Sequence, residues 1–206
     1  MSGEAKLTLA EEFGGIDIYL FDQLLRGRIA AGMRILDAGC GNGRNLVYLL
    51  RHGFEVYGVD ASEAGVAHVR QLAAALAPNL PESNFRTERL EAMSFPDAFA
   101  DVILSNSVLH FASNDPQFHA MLLGMWRVLR PGGLLFCRLA STIGASFEPL
   151  GGRRHLLPDG SEWYLVDEPL LMGLTHALGG KLVDPLKTTV VQGSRCMTTW
   201  VVRKPG

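Results

Sequence analysis

Cysteine is scarce in this chain of 206 residues, and the three present, Cys40, Cys137 and Cys196, lie far apart. An odd, dispersed set leaves no Cys-x-x-Cys pair to hold zinc or exchange electrons, and it argues against a disulfide framework. No group of His, Cys, Asp or Glu has the spacing of metal ligands, so no metal is expected. Long apolar runs are missing too, which excludes a membrane-spanning helix. The first ten residues lack the apolar core of a signal peptide, and a cytoplasmic location is the resulting expectation. Nineteen Lys and Arg stand against 21 Asp and Glu, a formal net charge of −2, with no basic run. Neither a nucleic-acid footprint nor a membrane-surface patch can be built from that balance. No repeat, low-complexity tract or linker divides the chain, and nothing in it specifies an oligomeric state. What remains, at 48% hydrophobic residues, suffices for one compact domain with a proper core.

What is present is organised around Arg34-Ile35-Leu36-Asp37-Ala38-Gly39-Cys40-Gly41-Asn42-Gly43-Arg44-Asn45. Ile35 and Leu36 end an apolar run that reads as a buried strand, and Leu46, Val47, Leu49 and Leu50 begin a helical pattern. Glycine serves where backbone turns tightly or a ligand touches the chain. Strand, glycine turn and helix together collect free N–H groups and a positive helix end at one spot, which suits a nucleotide-like ligand. A dinucleotide fingerprint requires Gly-x-Gly-x-x-Gly, its last glycine allowing close helix packing. Here Arg44 stands at that last position.

The run from Ile35 to Gly43 instead resembles the first motif of the class I, Rossmann-like S-adenosylmethionine-dependent methyltransferases. Its extension Gly43-Arg44-Asn45 is similar to their type 11/12 and tellurite-resistance small-molecule branch. The resemblance implies an α/β fold: a mostly parallel seven-stranded sheet, an antiparallel C-terminal strand, and helices on both faces. It also implies S-adenosylmethionine as cofactor, contacted through Asp37, Gly39, Cys40, Gly41, Asn42, Gly43 and Asn45. The chemistry implied is direct in-line displacement of the methyl group by a small-molecule acceptor. No Asn-Pro-Pro-Tyr-like motif follows the fourth strand, which argues against nucleic-acid amines as acceptors.

The rest of the chain reads as a succession of strand–helix units. Phe21, Leu24 and Leu25 predict one amphipathic helix before the first strand, within an aromatic segment (residues 1–30) that in the family often forms a lid. Tyr19 is its candidate acceptor contact. The helix after the glycine turn stops at Gly53. Residues 54–59 form a second strand closed by Asp60, and Ser62 caps the next helix. Residues 85–90 make a weaker third strand and 99–105 a strong fourth. Asp115-Pro116 opens a helix, and the break at Pro131-Gly132-Gly133 leads into a strand over 134–139. Such alternation predicts a parallel sheet covered on both faces. Residues 31–140 are thus the cofactor-binding core and 141–165 a long loop with a job to do. Over residues 166–206 come a helix from Glu168 and an edge hairpin of two runs, 182–191 and 197–203.

Asp60 lies 17 residues after Gly43, at the carboxyl end of the second strand, where a carboxylate can accept hydrogen bonds from both ribose hydroxyls. Ala61 and Ser62 adjoin it. A plain helix cap is the other reading of Asp60, although Ser62 is available for that task. By resemblance, Ser105 passes the methionine part of the cofactor. His110, just beyond, is a candidate general base, since an unperturbed histidine titrates near neutral pH. The family's adenine-reading Asp falls here on Arg89, which has no acceptor. Leu90 still offers its N–H, and Glu88 or Glu91 can substitute for the carboxylate. In residues 141–162, Arg153, Arg154 and His155 with Trp163 and Tyr164 beyond suit an anionic acceptor with an apolar body. A solvated basic turn is the alternative. Two competing functions remain open: a non-catalytic S-adenosylmethionine sensor or scaffold, and a nicotinamide oxidoreductase, which Arg44 disfavours.

Overall fold

A computed structural model describes residues 7–206; the signal-peptide reading of residues 1–6 lies outside them. Two short helices come first, α1 (Leu9–Phe13) and α2 (Ile18–Leu25). The expected helix through Phe21, Leu24 and Leu25 is α2. Gly14, at φ +60°, and Gly15 separate it from the additional α1, and the side chain of Val47 fills the space a Gly14 Cβ would need. Thr8 and Glu11 form a capping box on α1, and Asp17 accepts from the Tyr19 and Leu20 amides at the start of α2. Leu20 and Gln23 make the buried face of α2, while Leu25 is exposed.

Alternating elements follow: β1 (Arg34–Ala38), α3 (Val47–Arg51), β2 (Glu55–Asp60), α4 (Glu63–Leu76), β3 (Phe85–Thr87), β4 (Ala100–Asn106), α5 (Asp115–Val128) and β5 (Leu129–Ala140). Caps are supplied locally. Ser62 accepts from the Gly65 amide on α4, and Asn114 from the Gln117 amide on α5, where a proline occupies the first turn. The sheet runs β3-β2-β1-β4-β5 with every pair parallel. Because β1 lies between β2 and β4, the crossovers diverge at its carboxyl end and leave a crevice there.

The remaining strands are β6 (Glu148–Gly151), β7 (Arg154–Leu156), β8 (Glu162–Tyr164), β9 (Lys181–Leu182), β10 (Lys187–Val191) and β11 (Arg195–Arg203), with α6 (Glu168–Ala177) between β8 and β9. β11 runs antiparallel to β5, and β10 antiparallel to β11, closing the edge as a hairpin. β9 adds a short antiparallel pairing to β11. The result is the doubly covered, Rossmann-like sheet with its reversed C-terminal strand.

Strict alternation explains the two cores. Ile35, Val102, Leu104, Leu134 and Phe136 face α2, α3 and α4. Their neighbours Leu36, Ile103, Leu135 and Cys137 face α5 and α6. Period-2 strands buried on both sides read as continuous apolar runs, and β1, β4 and β5 do.

Four local expectations are corrected. The strand predicted over 85–90 ends at Thr87, and Leu90 sits in a 3-10 turn. The Pro131-Gly132-Gly133 break is a bulge inside β5: pairing with β4 jumps from Ala100↔Leu129 to Val102↔Leu134. Residues 141–162 are not an irregular loop, since β6, β7 and β8 form a three-stranded antiparallel sheet there. The run over 182–191 is split into β9 and β10 around Pro185, which has no N–H for a ladder.

Candidate functional site

The glycine turn is built by three different constraints. Gly39 has φ +90°, and a Cβ there would lie 2.3 Å from Cγ2 of Val108. Gly43 has φ +78° and presses on Val69 and Leu72 of α4. Gly41 also has positive φ, yet no atom stands within 4 Å of where its Cβ would be: that space belongs to the crevice. The Gly39 and Cys40 amides donate to the Val59 carbonyl at 2.8 and 2.9 Å, fastening the turn to β2. The following helix begins only at Val47 and runs five residues. The expected positive helix end is therefore removed from the turn, whose own amides define this wall.

Asp60 ends β2 and governs the turn. One carboxylate oxygen accepts from the Gly41 amide at 2.8 Å, the other from the Ser62 amide at 2.8 Å. Each oxygen keeps a further lone pair for a ligand. Asp37 is 1% exposed, and its Oδ1 is buried without a partner. Burial pushes its carboxyl up to about 7, with Arg44 opposing and Asp60 adding to the rise. Burial likewise holds the Cys40 thiol protonated.

These elements enclose a cleft of about 480 Å³. Gly39, Cys40, Gly41, Asn42, Asn45, Asp60, Ala61, Leu90 and Glu91 of the expected contacts line it. Asp37, Gly43, Ser62 and Ser105 do not: Asp37 is buried in β1 behind the turn, Gly43 packs on α4, Ser62 caps it, and Ser105 is buried within β4 with its Oγ unpartnered. Asn45 accepts from the Asp17 amide at 2.9 Å, which ties the N-terminal segment to the turn. Glu91 is held by Arg89 (2.7 Å) and approached by Gln117 (3.4 Å). Burial raises its carboxyl, but its own amide, Arg89 and Gln117 outweigh that and hold it low. Glu88 instead binds the Ser94 amide and hydroxyl outside the cleft.

A second cavity of about 340 Å³ adjoins the first and shares Arg44, Ser107 and Phe111 with it. His110, Arg138, Trp163 and Arg195 complete its walls with Asp17 and Met197. The His110 ring stacks on Trp163 at 4.3 Å, and its Nδ1 has no partner. Burial lowers its pKa to about 4, so the imidazole is neutral at pH 7 and a weaker base than an unperturbed one. Tyr19 is not in the lining. Its hydroxyl bonds Thr189 at 2.8 Å, and its ring lies under the Arg138 guanidinium at 4.8 Å.

Arg153, Arg154 and His155 are not brought to either cavity. Arg153 pairs with Asp167 at 2.9 Å, Arg154 with Glu162 at 2.9 Å, and His155 bonds the Arg153 carbonyl. Of that segment, Trp163 reaches the site. Arg44, Arg138 and Arg195 were missed as cavity residues. For Arg138 a signal existed, a lone charge within the apolar run of β5; Arg195 offered none. Among the described residues, no group of three potential metal ligands exists.

A Rossmann-like sheet with a glycine-lined crevice at β1 and a carboxylate at the end of β2 defines a nucleotide-cofactor protein. A family model described as a methyltransferase domain matches residues 36–137. A ubiquinone biosynthesis O-methyltransferase of Mesorhizobium japonicum is 32% identical over 167 residues, covering 81% of this chain and 60% of that protein. An S-adenosyl-L-methionine-dependent Diels-Alderase of Talaromyces variabilis is 38% identical over 119 residues, 54% of this chain and 38% of that one. The crystal structure of Burkholderia thailandensis 1,6-didemethyltoxoflavin-N1-methyltransferase superposes with a TM-score of 0.69 at 20% identity, covering 98% of this chain and 93% of that one. The chain spans about half the length of the curated relatives it matches, and its likeness to methyltransferases rests on residues 36–137 and on the fold.

The cleft fits that family's cofactor. S-adenosylmethionine carries cationic groups, and the acids here are Asp60 and Glu91 in the lining with the unpartnered Asp37 behind the turn. The open space at Gly41 admits close approach of a ligand to backbone.

Proposed function

We propose that this chain transfers a methyl group from S-adenosylmethionine to a small acceptor bearing an anionic group. The observation that carries the reading is the pair of adjoining cavities, one walled by the glycine turn and Asp60, the other by arginines and aromatic rings. Bound in the first, S-adenosylmethionine supplies a sulfonium methyl group open to in-line displacement by a nucleophile in the second. The protein's work is placement and exclusion of water.

Asp60 holds the turn and offers its free lone pairs to a ribose. Leu90, Met121 and Phe111 give the cleft apolar walls for a base. Arg44 donates to the Gly15 carbonyl and to Asn106, drawing the N-terminal segment over the junction of the cavities. His110 presents a neutral imidazole to the acceptor cavity, and its nitrogen without a proton serves as hydrogen-bond acceptor there. A cavity of this size suits a small molecule rather than a nucleic acid.

Calorimetry tests the cofactor: S-adenosylhomocysteine binds and NAD does not. Tight NAD binding without S-adenosyl binding would overturn the reading. The Diels-Alderase relative supports a second reading, in which the bound cofactor is retained and the second cavity shapes another reaction. Release of S-adenosylhomocysteine in step with acceptor consumption separates the two, and separates both from a sensor.

A further inference from the structure

The second cavity has an unbalanced charge. Three arginines face it against one carboxylate, and that carboxylate, Asp17, is already paired with Arg138 at 3.2 Å. Arg44 has only neutral hydrogen-bond partners, the Gly15 carbonyl and the Asn106 amide oxygen. Arg195, exposed at the start of β11, makes no side-chain hydrogen bond or ion pair among the described residues. Arg44 acts on Asp37 and Arg195 on Asp159 through space, but neither guanidinium is held in an ion pair among the described residues, and both are exposed at the wall of the second cavity. Opposite them stand flat surfaces. Trp163, on β8, stacks on His110, and Phe111 meets Trp163 edge-on at 6.3 Å while its own surface is 62% exposed. A large exposed aromatic at the junction of two cavities lacks the apolar cover its area calls for.

Resting on the methyl-transfer reading, we propose that the acceptor is a planar aromatic acid. Its anionic group is bound by Arg195 and Arg44, and its ring lies against Phe111 and Trp163. Guanidinium forks recognise carboxylates through paired, charge-assisted bonds, and aromatic walls favour flat partners in stacked or edge-on contact. The small sheet formed by β6, β7 and β8 acquires a purpose on this account, since it delivers Trp163.

The test uses the full chain saturated with S-adenosylhomocysteine and three probes: 2-naphthoate, its neutral amide 2-naphthamide, and the non-planar cyclohexanecarboxylate. Binding is read by calorimetry and by tryptophan fluorescence. Naphthoate is expected to bind about tenfold or more tighter than either of the others, the size of effect charge-assisted bonds produce. Arg195→Gln should abolish the preference for acid over amide, and Trp163→Leu the preference for the flat acid, with S-adenosylhomocysteine affinity unchanged in both. Equal affinity for naphthoate and naphthamide, in protein that binds S-adenosylhomocysteine, overturns the aromatic-acid assignment and leaves methyl transfer standing. Failure to bind S-adenosylhomocysteine overturns both.

Discussion

Arg44 donates from Nη2 to Oδ1 of Asn106 at 2.9 Å, joining the glycine turn after β1 to the end of β4 across the mouth of the cleft. The same guanidinium reaches the Gly15 carbonyl at 3.2 Å. A dinucleotide fingerprint has glycine at this place because the helix must pack closely. Here the residue is exposed, and its length is used to bridge. Arg44→Lys keeps the charge but loses the fork. Hydrogen exchange at the amides of residues 15–20 should then quicken, with protection of β1 and β4 unchanged. Equal exchange in both proteins would show that Arg44 does not hold the segment down.

Asp60 has two duties, and substitutions separate them. Asp60→Ala removes acceptors for the Gly41 and Ser62 amides along with any bonds to ribose. Charge-assisted bonds are worth about 1.5–3 kcal/mol net, so S-adenosylhomocysteine affinity should fall about ten- to a hundredfold, with a lower melting temperature. Asp60→Asn keeps one strong acceptor and should lose less of each. An unchanged dissociation constant in folded Asp60→Ala would reduce Asp60 to a turn-holding residue.

Two glutamates compete as replacements for the family's adenine-reading carboxylate, and geometry separates them. Glu91 lines the cleft, held by Arg89; Glu88 is spent on Ser94. Glu91→Gln should weaken S-adenosylhomocysteine binding severalfold, whereas Glu88→Gln should leave it within error. The reverse order would mean that the turn over residues 88–94 rearranges on binding.

Much of this was legible because local rules dominate it. The buried strands β1, β4 and β5 read as apolar runs, the cap at Ser62 is a side chain beside its helix, and Asp60 follows from its distance to Gly43. What escaped depends on tertiary position. The Arg153-Arg154 pair looked free because its partners are set by tertiary position, Glu162 by the β7–β8 ladder and Asp167 by the start of α6. Arg195 reaches the acceptor cavity only because β11 reverses beside β5, a register no local pattern announces. His110 was taken at its ordinary pKa, but stacking under Trp163 removes it from water. Accordingly, Arg153→Ala/Arg154→Ala should leave naphthoate affinity unchanged; a marked loss would return the basic turn to the site.

Asp37 and His110 predict opposed pH dependences over one window. Asp37 ionises near 3.8 when unfolded and near 7 when folded, so the folded chain holds a proton the unfolded chain releases. Its contribution to stability falls as pH rises from about 4 to about 7. His110 is the reverse. Its folded pKa is lowered from 6.5 to about 4, so its contribution is full above 6.5 and is lost as pH falls toward 4. Each shift corresponds to an effect on the order of 3–4.5 kcal/mol between its limits, and the two oppose each other in the native protein. Removing one should expose the other. In melts from pH 4 to 7.5 without cofactor, the stability of Asp37→Asn should climb with pH relative to the native chain. That of His110→Asn should decline relative to it. Parallel profiles for all three proteins would show that neither group is perturbed, and that Asp37 is solvated where the buried end of β1 leaves its Oδ1 without a partner.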